Sequence, residues 1–176
     1  ILISDRYDEE SVLEVLRRDI AEHGPPLVYR LDRAACQRTP RIRAELASQG
    51  VQLLHGPPYH SQYYGQTERQ NREHRGWLRA HESLVESDPG RAALLMRSGL
   101  NDAWPRGTLG FRTSSELWAM RPKLKEDRAA WMREIAERAT ALELEGMNED
   151  QAQRFAIEAA LTKRGYLRVE AGRGAK

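Results

Sequence analysis

Cysteine and long apolar runs are what this 176-residue sequence most clearly lacks. Cys36 is the only cysteine, which excludes an internal disulfide framework and a zinc site built from cysteines. No apolar run approaches the ~18–20 residues that a membrane-spanning helix needs. The first residues show no basic segment followed by an apolar stretch, so we expect no signal peptide. These absences predict a soluble, cytoplasmic protein that has no membrane partner.

Lysine is also scarce, so that the positive charge of the chain is almost entirely arginine. The 28 basic residues include only four lysines, and 26 acidic residues reduce the formal net charge to +2. The excess is uneven, because residues 30–121 hold 14 arginines and 9 acidic residues, whereas the rest of the chain has a net charge of −3. Such a contrast fits a surface that meets a polyanion, and it also fits an ordinary solvated surface.

Strands and helices alternate along the first part of the chain, and helices alone follow. Short strands are predicted at 1–4, 27–31 and 51–54. Helices are predicted at about 8–23, 40–50, 66–81, 88–103, 114–121, 125–145 and 149–163. The predicted helix caps are Asp8 or Ser11, Thr39, Ser114 or Ser115, and Asn148. In the helix at 125–145, Trp131, Ile135, Ala139 and Leu142 form an apolar face that would pack on the core or on another subunit. The order of elements predicts an α/β layer followed by a helical tail.

Two carboxylates stand at positions that are typical of a functional site. Asp32 follows the second predicted strand, where open α/β sheets place their functional residues, and Glu68 lies in the first turn of the helix after a polar loop. Thirty-five residues separate them. Paired carboxylates suit hard divalent cations, which prefer oxygen ligands. The alternative is that Asp32 caps a turn and that Glu68 is an exposed residue favoured by the helix dipole.

The residues around Glu68 carry a resemblance to a known family. The run His55–Arg69, with Gly-Pro-Pro, a polar aromatic loop and then Glu-Arg, resembles the glutamate motif of the retroviral-type integrase core. That core is shared by retroviral integrases and many bacterial insertion-sequence transposases. The run Asn101–Glu116, with Leu-Gly-Phe and Ser-Ser-Glu, is similar to the segment that closes such transposase cores.

The resemblance implies a ribonuclease H-like α/β fold. Residues 1–120 would form an integrase catalytic core that lacks its first strands, and residues 121–176 an α-helical extension. Asp32 and Glu68 match the second and third acids of the family's Asp-Asp-Glu triad, and the 35-residue separation is also the family's. The first Asp is expected upstream of this chain.

The activity that this resemblance implies is DNA integration, by nicking and strand transfer that depend on Mg²⁺ or Mn²⁺. The implied partners are transposon-end DNA, target DNA and further copies of the chain, in a cytoplasmic, nucleoid-associated location. The alternative is a non-catalytic remnant that binds DNA or assembles with an intact transposase. One departure from the family's motif favours the non-catalytic alternative. Arg33 stands directly after Asp32, and we expect its positive charge to compete with a metal ion for the Asp32 carboxylate.

Several side chains next to Glu68 are predicted to contact DNA. Arg72, Arg75 and Arg79 share a helix face with Glu68, and Arg69 follows it directly. Arginines in such a stripe contact phosphates and so position the DNA backbone. The loop before Glu68 adds two further candidates, Tyr63 and Tyr64. The alternative for the helix is an ion pair between Glu68 and Arg72 on a solvated face, worth ~0.2–0.5 kcal/mol.

Overall fold

The computed structural model describes residues 6–59, 63 and 65–168, so the predicted strand at 1–4 lies outside the described residues. The strands are β1 (Val28–Leu31) and β2 (Gln52–His55). The helices are α1 (Glu9–His23), α2 (Pro40–Ser48), α3 (Gly65–Ala80), α4 (Glu82–Ser87), α5 (Pro89–Ser98), α6 (Ser114–Met120), α7 (Arg128–Leu144) and α8 (Glu149–Lys163). None of the described helices is both long and apolar enough to cross a membrane.

The predicted ribonuclease H-like α/β fold is wrong, because 67% of the described residues are helical. Within the described residues, β1 and β2 form a two-stranded parallel sheet, and each strand has only four residues. After His55 the described chain forms no further strand apart from an isolated bridge between Arg106 and Arg112. The later segments contain many good helix formers and begin at capping residues, which favours helices over strands.

Three of the helix starts that capping residues predict are confirmed, whereas the cap predicted at Ser114 or Ser115 is wrong, because Thr113 caps α6. The side chains of Asp8, Thr39 and Asn148 accept hydrogen bonds from the third backbone N–H that follows each of them, at the starts of α1, α2 and α8. Each bond satisfies one of the free N–H groups that a helix start exposes. The α8 helix therefore runs over Glu149–Lys163, the bounds that the sequence predicts.

The contacts divide the chain into two compact units. In its described residues, the sandwich unit holds 8–59 and 126–168, and the helical unit holds 6–7, 63 and 65–125. The contacts thus group α7 and α8 with α1, α2 and the two strands. The division of the chain at residue 120, which the resemblance implies, stays a prediction.

In the sandwich unit, the sheet separates two apolar clusters. Leu53 packs on one side with α1 and α2 residues, among them Leu13 and Ile42. Leu54 packs on the opposite side with α7 and α8 residues, among them Trp131 and Ile157. Successive side chains of a strand point to opposite faces, so neighbouring leucines serve both clusters. The α7–α8 hairpin is therefore one face of the core of this unit.

Arg128, the first residue of α7, ties the hairpin to the two turns that precede the strands. Its guanidinium donates to the carbonyl oxygens of Pro25, Pro26 and Gly50, with distances of 2.8 Å to Pro26 and 3.1 Å to Gly50. Gly50 has a φ of +65°, and a Cβ built there would lie 3.0 Å from the Arg128 Cβ. A glycine is thus required both by the backbone conformation and by the close approach of Arg128.

In the helical unit, α3 makes contacts with α4 and α5. Its Trp77 ring stacks on His81 at a centroid distance of 3.9 Å, and the His81 Nδ1 donates to the Trp77 carbonyl oxygen at 2.9 Å. A capping box between Thr113 and Glu116 starts α6. In a capping box the two residues satisfy each other's backbone N–H, which fixes the start of the helix.

Candidate nucleic-acid interface

The α3 helix has a partly buried side and an exposed arginine side. Glu73, His74, Trp77 and Leu78 are half-buried and recur at helical spacing. All four arginines of the helix are exposed on the other side: Arg69, Arg72, Arg75 and Arg79. The helix therefore presents the predicted arginine stripe to solvent.

The half-buried side of α3 is held in place by an ion pair as well as by packing. The Arg106 guanidinium donates from Nη1 to the Glu73 Oε1 at 3.1 Å, and its Nη2 lies 2.9 Å from the Glu73 Oε2. The first contact is a hydrogen bond and the second is a close ionic contact, so the pair links α3 to Arg106 through one hydrogen bond. The Arg106 pair joins this side of α3 to a later segment of the same unit, whereas Trp77 and His81 are one helical turn apart and their stacking is local to the end of α3.

Three of the α3 arginines have no partner within the part of the chain that the structure describes. Arg69, Arg72 and Arg79 make no hydrogen bond, ion pair or ring contact there. Arg75 differs, because its Nε donates to the Asn71 carbonyl oxygen at 3.2 Å. The ion pair between Glu68 and Arg72, which was the alternative reading of this face, is not formed among the described residues.

Many arginines elsewhere in the chain are paired. Arg17 donates to both carboxylate oxygens of Glu45 at 2.9 Å, and Arg164 lies 2.6 Å from Glu134. These ion pairs hold the pKa of Glu45 and Glu134 below the ordinary value, that of Glu134 at about 2. Exposed arginines without a side-chain partner among the described residues also occur elsewhere, at Arg18, Arg43, Arg91, Arg133 and Arg138. What distinguishes α3 is that three such arginines share one helix face.

Asp32 is exposed directly after β1. Its Oδ1 accepts from the backbone N–H of Arg33 at 2.6 Å. The Arg33 guanidinium does not pair with Asp32, because its Nη2 donates to Asp150 at 2.6 Å and its Nη1 donates to the Gly56 carbonyl oxygen at 3.2 Å. The hydrogen bond from Arg33 holds the pKa of Asp150 below its usual range. Arg33 therefore joins α8 to the carboxyl ends of the strands.

Asp32 and Glu68, the predicted metal ligands, belong to different compact units, Asp32 to the sandwich unit and Glu68 to the helical unit. Across the described ranges, no group of three or more histidine, cysteine, aspartate or glutamate side chains is placed to hold a metal ion. A two-metal site needs several carboxylates. The described residues do not bring such a set together, and both ligand roles stay predictions.

Of the two tyrosines predicted to contact DNA, Tyr63 is half-buried and Tyr64 lies outside the described residues. Their contacts with DNA stay predictions.

His55, at the end of β2, is the first residue of the run that resembles the glutamate motif, and its side chain is buried. It is 9% exposed, and its Nδ1 lies 3.2 Å from the Leu31 carbonyl oxygen. A carbonyl oxygen only accepts, so Nδ1 carries the proton and Nε2 is the unprotonated nitrogen. The described residues offer Nε2 no hydrogen-bond partner. Burial lowers the pKa of His55, which keeps the ring neutral.

This burial predicts a stability that falls in mild acid. Below the ordinary His pKa of about 6.5, the unfolded chain binds a proton that the folded chain resists, so stability falls by up to ~1.4 kcal/mol per pH unit until the folded pKa is reached. We expect urea unfolding to show this fall as the pH is lowered below about 6.5 for the unsubstituted protein but not for His55→Gln. Parallel pH profiles for the two proteins would contradict the assignment.

No protein-family model matches this chain, and a search of curated proteins finds no match.

Proposed function

We propose that this chain binds the phosphate backbone of DNA through the arginine side of α3 and takes part in DNA transposition as a non-catalytic module. The observation that carries the proposal is the set of three exposed guanidinium groups of Arg69, Arg72 and Arg79, which have no partner among the described residues. The resemblance of the two sequence runs to transposase cores supports the choice of DNA as the polyanion. The first turn of α3 belongs to the run His55–Arg69, and the rest of the helix follows that run directly.

A guanidinium that has no internal partner is available to a phosphate without first breaking an ion pair. Arginine presents a planar set of donors that matches phosphate oxygens, and binding releases counterions condensed on the DNA. Contacts of this kind carry no base information, so we expect binding that depends little on sequence.

The distribution of charge agrees with this placement. Residues 61–125 contain nine arginines and two lysines against seven acidic residues, a net charge of +4. The chain as a whole has a net charge of +2, so the remaining residues together carry −2. The positive field therefore centres on the stretch of chain that contains α3, and a field of this sign attracts DNA.

Binding of duplex DNA, followed by fluorescence anisotropy, tests the proposal. We expect a random-sequence duplex to bind equally well in EDTA and in Mg²⁺, because the arginine contacts need no metal. Failure to bind at low salt would overturn the proposal. Binding that requires Mg²⁺ and is followed by nicking of the duplex would replace it with the catalytic alternative, in which Asp32 and Glu68 hold the metal. Assembly with further copies stays a prediction, which sedimentation of the chain with and without DNA tests.

The change in DNA affinity caused by Glu68→Gln distinguishes a DNA-binding role from a catalytic role. Its exposed carboxylate lies one helical turn before Arg72 and repels phosphate at the same face. We expect Glu68→Gln to strengthen DNA binding about twofold at low salt, since removal of one nearby surface charge is worth a few tenths of a kcal/mol. Loss of a Mg²⁺-dependent activity in this variant, with weaker binding, would instead identify Glu68 as a metal ligand. Glu82→Gln on α4 is the control for the loss of one acidic residue from the same unit.

A further inference from the structure

Gly76 lies in the middle of α3, where a glycine weakens the helix. A Cβ built at Gly76 meets no atom within 4 Å, and its φ lies outside the left-handed region. Neither packing nor backbone conformation therefore explains this residue. Gly50 is the contrast, because it has both a positive φ and a close neighbour in Arg128.

The three unpartnered arginines surround Gly76 on the helix surface. Arg69 precedes it by seven residues, Arg72 precedes it by four, and Arg79 follows it by three. At about 100° per residue, all three point within ~60° of the direction of Gly76. Residues three and four apart are also direct neighbours on a helix surface. The exposed surface at Gly76 is thus a bare stretch of backbone between guanidinium groups.

We infer that Gly76 is the point at which the α3 backbone makes its closest approach to the DNA, with Arg69, Arg72 and Arg79 clamping phosphates around it. Glycine permits a close approach between backbone and ligand because no Cβ holds them apart. The inference rests on the proposed function, and DNA is the occupant because three cations without a partner among the described residues lie around Gly76, while the nearest acidic side chain, Glu73, is paired with Arg106. It adds a positioning role for a residue that itself makes no charged contact.

Side chains of increasing size at Gly76 test this inference through two readouts of opposite sign. Gly76→Ala is expected to raise the melting temperature by about 2–4 °C, because alanine is the better helix former and the site is open. The same substitution is expected to weaken DNA binding about threefold to tenfold, and Gly76→Leu more strongly, with no loss of stability in either variant. A structural role for Gly76 would instead make stability and binding fall together.

Gly90→Ala is the matched control, because Gly90 is an exposed glycine near the start of α5, in the same unit. Its Cβ would meet only the Asp88 Oδ1, at an ordinary 3.5 Å. We expect this variant to leave DNA affinity unchanged. Unchanged affinity in both Gly76 variants, while Arg72→Gln still weakens binding, would overturn the close approach and leave the proposed function in place. If the unsubstituted protein does not bind DNA, or if Arg72→Gln binds equally well, the proposed function fails and this inference fails with it.

Discussion

Conversion of Arg69, Arg72 and Arg79 together to glutamine is expected to lower the affinity for duplex DNA by about tenfold to a hundredfold at low salt. Each exposed charge contact is worth up to ~1 kcal/mol, and a tenfold change in affinity corresponds to ~1.4 kcal/mol. The fold should not change, because none of the three side chains has a partner within the described structure. Fluorescence anisotropy measures the affinity, and circular dichroism checks the helix content.

The control for this triple variant changes the net charge equally at another place. Arg43, Arg133 and Arg138 are exposed arginines on α2 and α7 of the sandwich unit. Their conversion to glutamine should weaken binding much less than the α3 triple variant does. Equal losses in the two variants would show that net charge alone attracts DNA, which would contradict a defined interface on α3.

Trp131→Ala is expected to destabilise the sandwich unit by about 3–5 kcal/mol, which is typical when a large buried aromatic side chain is removed. Trp131 is fully buried in the cluster that joins α7 and α8 to Leu27 and Leu54. Arg164 also lies over its ring, with the guanidinium carbon 5.0 Å from the ring centroid. Urea unfolding followed by circular dichroism measures the effect. A loss this large is a considerable fraction of the stability of a typical domain.

Two further tryptophan variants separate packing from other effects. The Trp131 Nε1 has no hydrogen-bond partner among the described residues, so Trp131→Phe removes an unsatisfied donor and should cost less than Trp131→Ala. Trp104 is 62% exposed, and Trp104→Ala should change stability by no more than ~0.5 kcal/mol. A small effect of Trp131→Ala would show that α7 and α8 form a separate layer that does not support the core.

Local sequence signals predicted individual elements well because their causes are local. Asn148 caps α8, and Thr39 followed by Pro40 starts α2, so only a few adjacent residues determine each helix start. The apolar spacing of Trp131, Ile135, Ala139 and Leu142 also predicted a packed side of α7; the first three are buried and Leu142 is half-buried against the same cluster. These features follow from the helical repeat and from capping chemistry.

The fold class was predicted incorrectly because it depends on contacts between distant segments. The alternation of Leu53 and Leu54 between two clusters extends over only four residues of strand, too few to show which helices cover each face. The ties made by Arg128 to Pro25 and by Arg33 to Asp150 each join residues more than 100 positions apart. No local pattern marks such partners, so the packing of the helical tail on the sheet was left open.

The candidate site could be predicted only in part, because helical spacing is local whereas side-chain pairing is not determined by local sequence. Helical spacing alone placed Arg72, Arg75 and Arg79 on one exposed face. The spacing of Glu68 and Arg72 permits an ion pair, but the side-chain conformations decide whether the pair forms. The sequence alone did not predict a role for Gly76 at the interface. The inferred role depends on the open space around Gly76 and on its arginine neighbours having no partner among the described residues.

The salt dependence of DNA binding tests the central claim most directly. If the three α3 arginines neutralise three phosphates, the slope of log K against log salt should be about 2.7 steeper for the unsubstituted protein than for the α3 triple variant. Those contacts alone correspond to a loss of affinity of about 40-fold between 50 and 200 mM salt. Equal slopes for the two proteins would contradict an interface built on Arg69, Arg72 and Arg79.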